Sequence, residues 1–246
     1  MAKFFVSPED VLEESILIRG SDVNHIKNVL RLTVGKEILI SDRQGYEYEC
    51  IIRDIDADIV TAQILNRILN HTEPSIETTL FQSLVKGEKM EFVIQKSVEI
   101  GVTKIIPLIT KRCVVKLESE NKLKNKIDRW QKIAESAAKQ SKRGIVPEVC
   151  HPMTLEEALK YAEKQLDIGC IPYENEETHY IKTFLQSIQV QSIGVFIGPE
   201  GGFTEEEVAL ATSYKVKPIT LGKRILRSET AGLVTLANIM YEMGEV

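Results

Sequence analysis

The sequence predicts an α/β protein in two parts, a small β-rich unit over residues 1–72 and a larger α/β unit over residues 73–246. In the first part, short β-branched runs follow one another with little helix between them. In the second part, apolar runs of strand length alternate with helical patterns, which is typical of a mostly parallel sheet. The polar, proline-containing stretch 71–75 separates the two patterns and is the predicted linker.

The first part contains five runs of strand length, at 3–6, 15–19, 37–41, 46–54 and 58–66. One helix interrupts them. Ser21 is its expected N-cap, and an apolar stripe follows at Val23, Ile26, Val29 and Leu30. We expect these elements to form a compact barrel.

The second part alternates between the two patterns. Strands are expected at 78–84, 105–109, 146–150, 168–171, 194–197 and 218–221, and helices near 88–100, 119–142, 154–166, 178–188, 204–213 and 228–243. Thr154 and Thr204 each begin a capping box, and Gly101 closes the first of these helices.

The composition is that of an ordinary globular chain, 43% hydrophobic and 27% charged. No apolar run is long enough to span a bilayer and no signal peptide is evident, so a cytoplasmic location is expected. The four cysteines are scattered and show no C-x-x-C spacing. We therefore expect neither a metal site nor a disulfide framework.

Charge is distributed unevenly along the chain. The net charge is −5, yet residues 111–143 hold 11 Lys and Arg against 4 Asp and Glu. Such a block is either a phosphate-binding surface or a solvated helix face, and charge alone does not separate the two. Trp130, within this block, has the helical spacing of a core residue.

Three predicted strand ends lead into unusual loops. The first is 171–174, the second is the glycine-bearing loop 198–203, and the third is 222–232. Ligands of open parallel sheets bind outside the carboxyl ends of strands. Glycine allows close backbone approach and positive φ, which we expect at Gly201. The glycine run alone fits a tight turn equally well, and Arg224, Arg227 and Glu229 together also fit a surface ion-pair cluster.

Read together, five segments resemble the bacterial family that methylates N3 of a uridine in 16S ribosomal RNA. They are 25–32, 89–91 with 95–102, 129–130 with 140–143, 197–203 and 221–231. The most specific pair is Ile-Gly-Pro-Glu-Gly-Gly followed by Leu-Gly-x-Arg-Ile-Leu-Arg-x-Glu-Thr-Ala. The sequence departs from the family pattern at Asn24, where a second His is common, and at Cys113, where Ser is usual.

The resemblance implies an N-terminal PUA-like RNA-binding β-barrel and a C-terminal SPOUT domain whose last segment forms a trefoil knot. It implies S-adenosylmethionine as methyl donor, with S-adenosylhomocysteine as product. It also implies a homodimer that acts on 16S rRNA within the small ribosomal subunit. The expected cofactor-binding residues are Ile171, Pro172, Tyr173, Gly198, Pro199, Glu200, Gly201, Gly202, Leu221, Gly222, Arg224, Ile225 and Leu226.

Three residues are expected to serve catalysis. Arg227 would stabilise negative charge on the uracil oxygens or on a phosphate. Glu200 and Glu229 are candidate bases for the N3 proton, or they orient an arginine. The expected RNA-binding residues are His25, Lys27, Arg31, Lys132, Lys139, Lys142 and Arg143.

Two other functions remain open at this stage. A non-catalytic RNA-binding protein would use only the first part and the predicted helix 119–142, which lies in the basic block. A nucleotide- or phosphate-binding enzyme would use the loop 198–202 against a helix N-terminus. Each function predicts a different ligand that stabilises the fold: S-adenosylmethionine for the methyltransferase, ATP for the nucleotide-binding enzyme, and neither for the non-catalytic RNA-binding protein.

Overall fold

The computed structural model describes residues 1–114 and 119–245. Within them, no helix is long and apolar enough to cross a membrane. The chain divides into two compact units: Met1–Glu73 with Ala138–Val146, and Pro74–Ala137 with the chain from Pro147 onward.

The first unit is built on one five-stranded sheet in the order β1-β3-β4-β5-β2. Its strands are β1 (Ala2–Phe5), β2 (Ser15–Arg19), β3 (Glu37–Ser41), β4 (Tyr46–Ile55) and β5 (Ile59–Leu69). Every strand contributes to one apolar cluster, so the sheet curls around a single core. Because β1 and β2 do not pair in the described residues, the predicted barrel is present as an open half-barrel.

The helical insertion differs from the prediction. Helix α1 (Ser21–Asn24) has Gly20 at its N-cap, with φ 67°, so the expected Ser21 cap is wrong. A π-helical turn, His25–Val29, follows at once. The wider turn rotates the apolar stripe, because each π turn holds more residues than an α turn. Ile26 is consequently buried, while Val29 and Leu30 are exposed.

The second unit holds a seven-stranded sheet in which every pairing is parallel. Its order is β12-β10-β11-β6-β7-β8, and β9 pairs with β7. The strands are β6 (Glu77–Ser83), β7 (Lys104–Ile109), β8 (Glu148–Val149), β9 (Met153–Thr154), β10 (Ile168–Pro172), β11 (Ser192–Ile197) and β12 (Val216–Ile219). The predicted parallel α/β architecture is confirmed.

Six helices of the described chain accompany this sheet: α2 (Lys89–Ile100), α3 (Glu120–Gln140), α4 (Leu155–Gln165), α5 (Ile181–Gln186), α6 (Glu205–Ser213) and α7 (Ser228–Glu242). Both predicted capping boxes are present, at Thr154 and Thr204. Gly101 closes α2 with φ 115°. Helix α3 contributes residues to both units, and Trp130 is buried in the second.

Two predicted elements have shifted. Helix α5 is shorter than the expected 178–188, because the side chain of Glu176 binds the backbone of Thr178 and His179 and holds them in a turn. Strand β12 lies two residues before the expected 218–221. Thr220 instead forms an isolated parallel bridge with Tyr180.

Candidate functional site

The three unusual loops lie side by side at one edge of the second unit. Strand β10 pairs with β11 on one side and with β12 on the other, all parallel. The loops after these strands therefore meet at the carboxyl edge, as the sequence predicted. Two cavities of about 460 and 470 Å³ lie there. Both are lined by Pro172, Glu174, Ile225, Leu226 and Ala231.

The first cavity lies between the loops after β10 and β12. Backbone hydrogen bonds join these loops: the N–H of Ile181 donates to the Thr220 carbonyl over 3.1 Å, and the Thr220 N–H donates to the His179 carbonyl over 2.9 Å. The lining residues not shared with the second cavity are Tyr173, Glu176, Glu177, Tyr180, Thr220, Leu221, Gly222, Lys223 and Arg224.

Glu176 orders the loop after β10. Its carboxylate accepts from the hydroxyl and N–H of Thr178 and from the N–H of His179, over 2.6 to 2.9 Å. These donors lower the pKa of Glu176 from 4.5 to about 2, the Thr178 hydroxyl most of all. Glu176 is therefore ionised at neutral pH and holds one wall of the first cavity.

The second cavity faces the glycine-bearing loop. Its further lining residues are Lys89, Ile197, Gly198, Pro199, Glu200, Gly201, Gly202, Phe203, Arg227, Ser228 and Glu229. Positive φ occurs at Gly202, at 67°, and not at the expected Gly201. A Cβ on Gly202 would lie 2.5 Å from Glu174 Oε1, whereas one on Gly201 would meet the Arg112 side chain at an ordinary 3.5 Å.

Side chains from distant elements hold the glycine-bearing loop. Arg112 Nη1 donates to the Gly201 carbonyl over 2.7 Å and to the Phe203 carbonyl over 3.3 Å. Gln82, buried on β6, donates to Ser228 Oγ over 2.9 Å, and that hydroxyl donates to the Gly198 carbonyl over 2.6 Å. The loop is thus tied to β6, to α7 and to the segment after β7.

Three of the charged side chains that line the second cavity form an ion-pair cluster. Lys89 Nζ lies 3.6 Å from Glu200 Oε1 and 3.7 Å from Glu229 Oε1. The side chain of Glu229 is 15% exposed, against 38% for Glu200. Glu229 Oε2 is buried and has no hydrogen-bond partner among the described residues. The expected arginine partner is absent from the described ion pairs of both glutamates, and a lysine takes its place.

Twelve of the thirteen expected cofactor-binding residues line one of the two cavities. The exception is Ile171, whose side chain is fully buried in the apolar core of the second unit and lines neither. The candidate catalytic residues Arg227, Glu200 and Glu229 all line the second cavity.

Sequence reasoning assigned no role to several other lining residues. The sequence nevertheless indicated three of them. Lys89 lies in a segment that carries the family resemblance, and Glu174 and Glu176 lie in the loop that follows the predicted strand 168–171. Tyr180 and Thr220 are brought in by the β-bridge between their loops, for which no local pattern exists.

Expected RNA-binding residues from the N-terminal region are accessible. His25 and Arg31 are exposed. Lys27 is half-buried and donates to the Asp56 carbonyl over 3.0 Å. Their role in RNA binding stays a prediction.

The basic block divides between the two units. Lys132 is exposed in the second unit, and Lys142 is exposed in the first. Lys139 Nζ lies 3.1 Å from Asp22 Oδ1. Arg143, which was expected to bind RNA, is instead buried: its side chain is 4% exposed and its Nη2 lies 2.6 Å from Glu73 Oε2. The chain has left α3 by then, and Arg143 packs inside the first unit.

Both parts of the chain match known families. Residues 18–65 match the RNA methyltransferase PUA domain, and residues 72–240 match the RNA methyltransferase domain. Ribosomal RNA small subunit methyltransferase E of Bacillus subtilis is 34% identical over 98% of this chain and 97% of its own length. The protein of that name from Synechocystis is 32% identical, over 96% of this chain and 76% of its own length.

Solved structures agree with these matches. The crystal structure of ribosomal RNA small subunit methyltransferase E from Neisseria gonorrhoeae, bound to S-adenosyl methionine, has a TM-score of 0.84 at 33% identity and covers 98% of this chain and 97% of its own. A putative methyltransferase from Legionella pneumophila, in complex with bound SAM, has a TM-score of 0.87 at 28% identity over the same shares. With both domains matched and relatives above 30% identity over nearly its whole length, the protein belongs to the ribosomal RNA small subunit methyltransferase E family.

Proposed function

We propose that the protein transfers a methyl group from S-adenosylmethionine to N3 of a uridine in the 16S rRNA of the small ribosomal subunit and releases S-adenosylhomocysteine. One observation carries this proposal. Two adjoining cavities at the carboxyl ends of β10, β11 and β12 are walled by the motif loops of a family whose Neisseria member was crystallised with this cofactor.

The cavities suit this cofactor in size and charge. Small-molecule sites commonly measure roughly 300–1,000 Å³, and the two cavities measure about 460 and 470 Å³. Five carboxylates line them, at Glu174, Glu176, Glu177, Glu200 and Glu229, and negative charge favours a cationic sulfonium. Gly222, with φ 104°, has no atom within 4 Å of a built Cβ, so a ligand can approach its backbone.

We assign the cofactor to segments 171–173, 198–202 and 221–226, with Ile171 contributing only through its backbone. The cofactor supplies a methyl group activated by the adjacent positive sulfur. The protein has to align the uracil ring, accept the N3 proton and exclude water. Arg227, exposed just before α7, would face the negative charge that develops on the uracil oxygens. Glu200 and Glu229 are the candidate proton acceptors.

The cysteines favour methylation at nitrogen over carbon. Carbon methylation of uracil needs a nucleophile that first adds to the ring, a role suited to a thiolate. None of the described lining residues of either cavity is a cysteine. Burial raises the pKa of Cys170 to about 12, so that thiol stays protonated. Methylation at N3 requires only proton removal.

We further propose the domain boundary at 72/73 and the C-terminal trefoil knot. Strand β12 is an edge strand, yet α7 packs on β6, β11 and α2. The segment 220–227 must therefore cross the end of β10, which is the passage that a knot requires. An experimental map traced through 171–228 would show whether that segment threads a loop or passes outside it.

The homodimer is also a proposal. On α7, the apolar residues Val234, Ala237 and Tyr241 lie on one face at helical spacing, and Tyr241 is 72% exposed. A second subunit would cover this face and place the active sites near the subunit boundary.

The alternative functions have less support. Helix α6 follows the glycine-bearing loop, and its first turn carries Glu205, Glu206 and Glu207. Three carboxylates at that N-terminus would repel the phosphates of a nucleotide. A non-catalytic RNA-binding protein would leave both cavities without a purpose.

The experiment supplies methyl-labelled S-adenosylmethionine with either 16S rRNA or assembled small subunits, and identifies the labelled nucleoside by chromatography. We expect 3-methyluridine. Thermal unfolding with S-adenosylmethionine and with ATP runs in parallel, and only the former should raise the midpoint. Label on another atom, or stabilisation by ATP alone, would refute the proposal.

A further inference from the structure

Lys89 is the first residue of α2 and the one lysine shared by the two candidate proton acceptors in the described chain. Its two ion-pair distances, 3.6 and 3.7 Å, are nearly equal. Both exceed normal hydrogen-bond length. Lys89 therefore holds the two carboxylates by charge rather than by short hydrogen bonds.

The two carboxylates are not equivalent. Glu200 lies on an exposed loop with 38% of its side chain accessible. Glu229 lies in the first turn of α7, a 15-residue helix that packs against α2, and is 15% exposed. Side chains on helices are held more precisely than those on loops. The helix dipole also favours a negative charge in that first turn.

Glu229 carries a second distinguishing feature. Its Oε2 is buried without a donor among the described residues. An unsatisfied buried acceptor is costly, and such groups often mark sites of chemistry. Taking up a proton would remove the charge whose burial is costly. Glu200 shows no comparable atom among the described residues.

We propose that Lys89 is a positioning residue whose ammonium holds the Glu229 carboxylate at the second cavity, so that Glu229 rather than Glu200 accepts the proton from uracil N3. In this step the N3–H bond breaks, the proton moves to the Glu229 carboxylate and the electron pair stays on N3. That pair then forms the bond to the methyl carbon, and the carbon–sulfur pair returns to sulfur. The inference rests on the proposed function.

The other charged residues that line the second cavity with Glu229 are Lys89 on α2, Glu200 on the glycine-bearing loop, Glu174 on the loop after β10 and Arg227 before α7. Replacing Lys89 by Met removes one of the two positive charges. The Glu229 carboxylate then loses the ammonium group that holds it at the cavity, so methyl transfer should slow.

The test measures single-turnover methyl transfer to small-subunit RNA at saturating S-adenosylmethionine. We expect Lys89→Met and Glu229→Gln to slow transfer by roughly 10²-fold while cofactor Kd changes by no more than about twofold. Lys89→Arg should restore most of the rate. Glu200→Gln should slow transfer less than Glu229→Gln does. The matched control Lys86→Met, an exposed lysine that lines neither cavity, should stay near the natural rate.

Three results would overturn the proposal: natural rates in Lys89→Met, a loss of cofactor affinity that accounts for the loss of rate, or a slow Glu200→Gln beside a normal Glu229→Gln. If Lys89→Met does not fold, the comparison of Glu229→Gln with Glu200→Gln decides. Failure of the proposed function is distinct, because the natural protein would then make no 3-methyluridine.

Discussion

Replacing Gly202 by alanine changes the glycine-bearing loop at one backbone torsion. Gly202 has φ 67°, which costs an L-residue about 1–2 kcal/mol. The new Cβ would also lie 2.5 Å from Glu174 Oε1. Glu174 is an exposed side chain that can swing aside, so the backbone strain dominates.

This strain becomes a loss of affinity for S-adenosylmethionine. The free variant can relieve the strain by letting the loop leave its conformation, whereas the bound state needs that conformation. The favourable free energy of binding is therefore reduced by the strain of about 1–2 kcal/mol that the bound variant keeps and the free variant relieves. Because about 1.4 kcal/mol corresponds to a factor of ten, we expect roughly 5- to 30-fold weaker binding.

Gly201→Ala is the matched control. Gly201 has no positive φ, and its built Cβ meets the Arg112 side chain at 3.5 Å, an ordinary contact. Its effect should stay within about 0.5 kcal/mol. Calorimetric titration with S-adenosylmethionine measures both variants, and circular dichroism checks that each is folded. Equal decreases in affinity for the two variants would refute the backbone argument, and unchanged affinity in both would remove this loop from the cofactor site.

Three further predictions concern pH, RNA and assembly. Because the pKa of Glu176 is lowered, its ionised form stabilises the fold fully above pH 4.5 and loses this effect as pH falls towards 2. The melting midpoints of the natural protein and of Glu176→Gln should therefore converge between pH 4.5 and 2. A difference between the two midpoints that stays constant over this range would contradict the prediction. The double variant Lys132→Gln, Lys142→Gln should bind RNA with a weaker salt dependence. The slope of log affinity against log salt concentration should fall by roughly 0.7 for each single-strand phosphate that the variant no longer neutralises. An unchanged slope would mean that these lysines lie on a solvated face and do not bind RNA. Ala237→Glu, at an exposed position of α7, should convert a sedimenting dimer to folded monomers, and a monomeric natural protein would refute the interface.

Local patterns predicted local structure well. A capping box lies within four residues, so Thr154 and Thr204 could be recognised without knowledge of the fold. The π-helical turn at His25–Val29 could not, because its pattern of apolar residues matches an ordinary helix until Val29 and Leu30 are found exposed.

The site itself was predictable in part. Strand ends of a parallel sheet share one edge, so three loops after three strands could be assigned to one site. The pairing of β10 with both β11 and β12 is a long-range property that no spacing encodes. For the same reason, no local pattern indicated that Gly202 rather than Gly201 carries the positive φ, since the loop is held by hydrogen bonds from Arg112 and Ser228 of other elements.

Charge was the least predictable feature, and Arg143 and Lys89 show why. A count of basic residues treats Arg143 as part of a surface, yet Glu73 pairs with it inside the first unit. Lys89, outside that basic block, instead lies between two glutamates of the candidate site. An ion pair depends on where two side chains end in space, which periodicity does not record. In the proposed mechanism, the roles of Glu200 and Glu229 depend on Lys89 of α2, and the two motif segments that contain these glutamates do not by themselves say which of them accepts a proton.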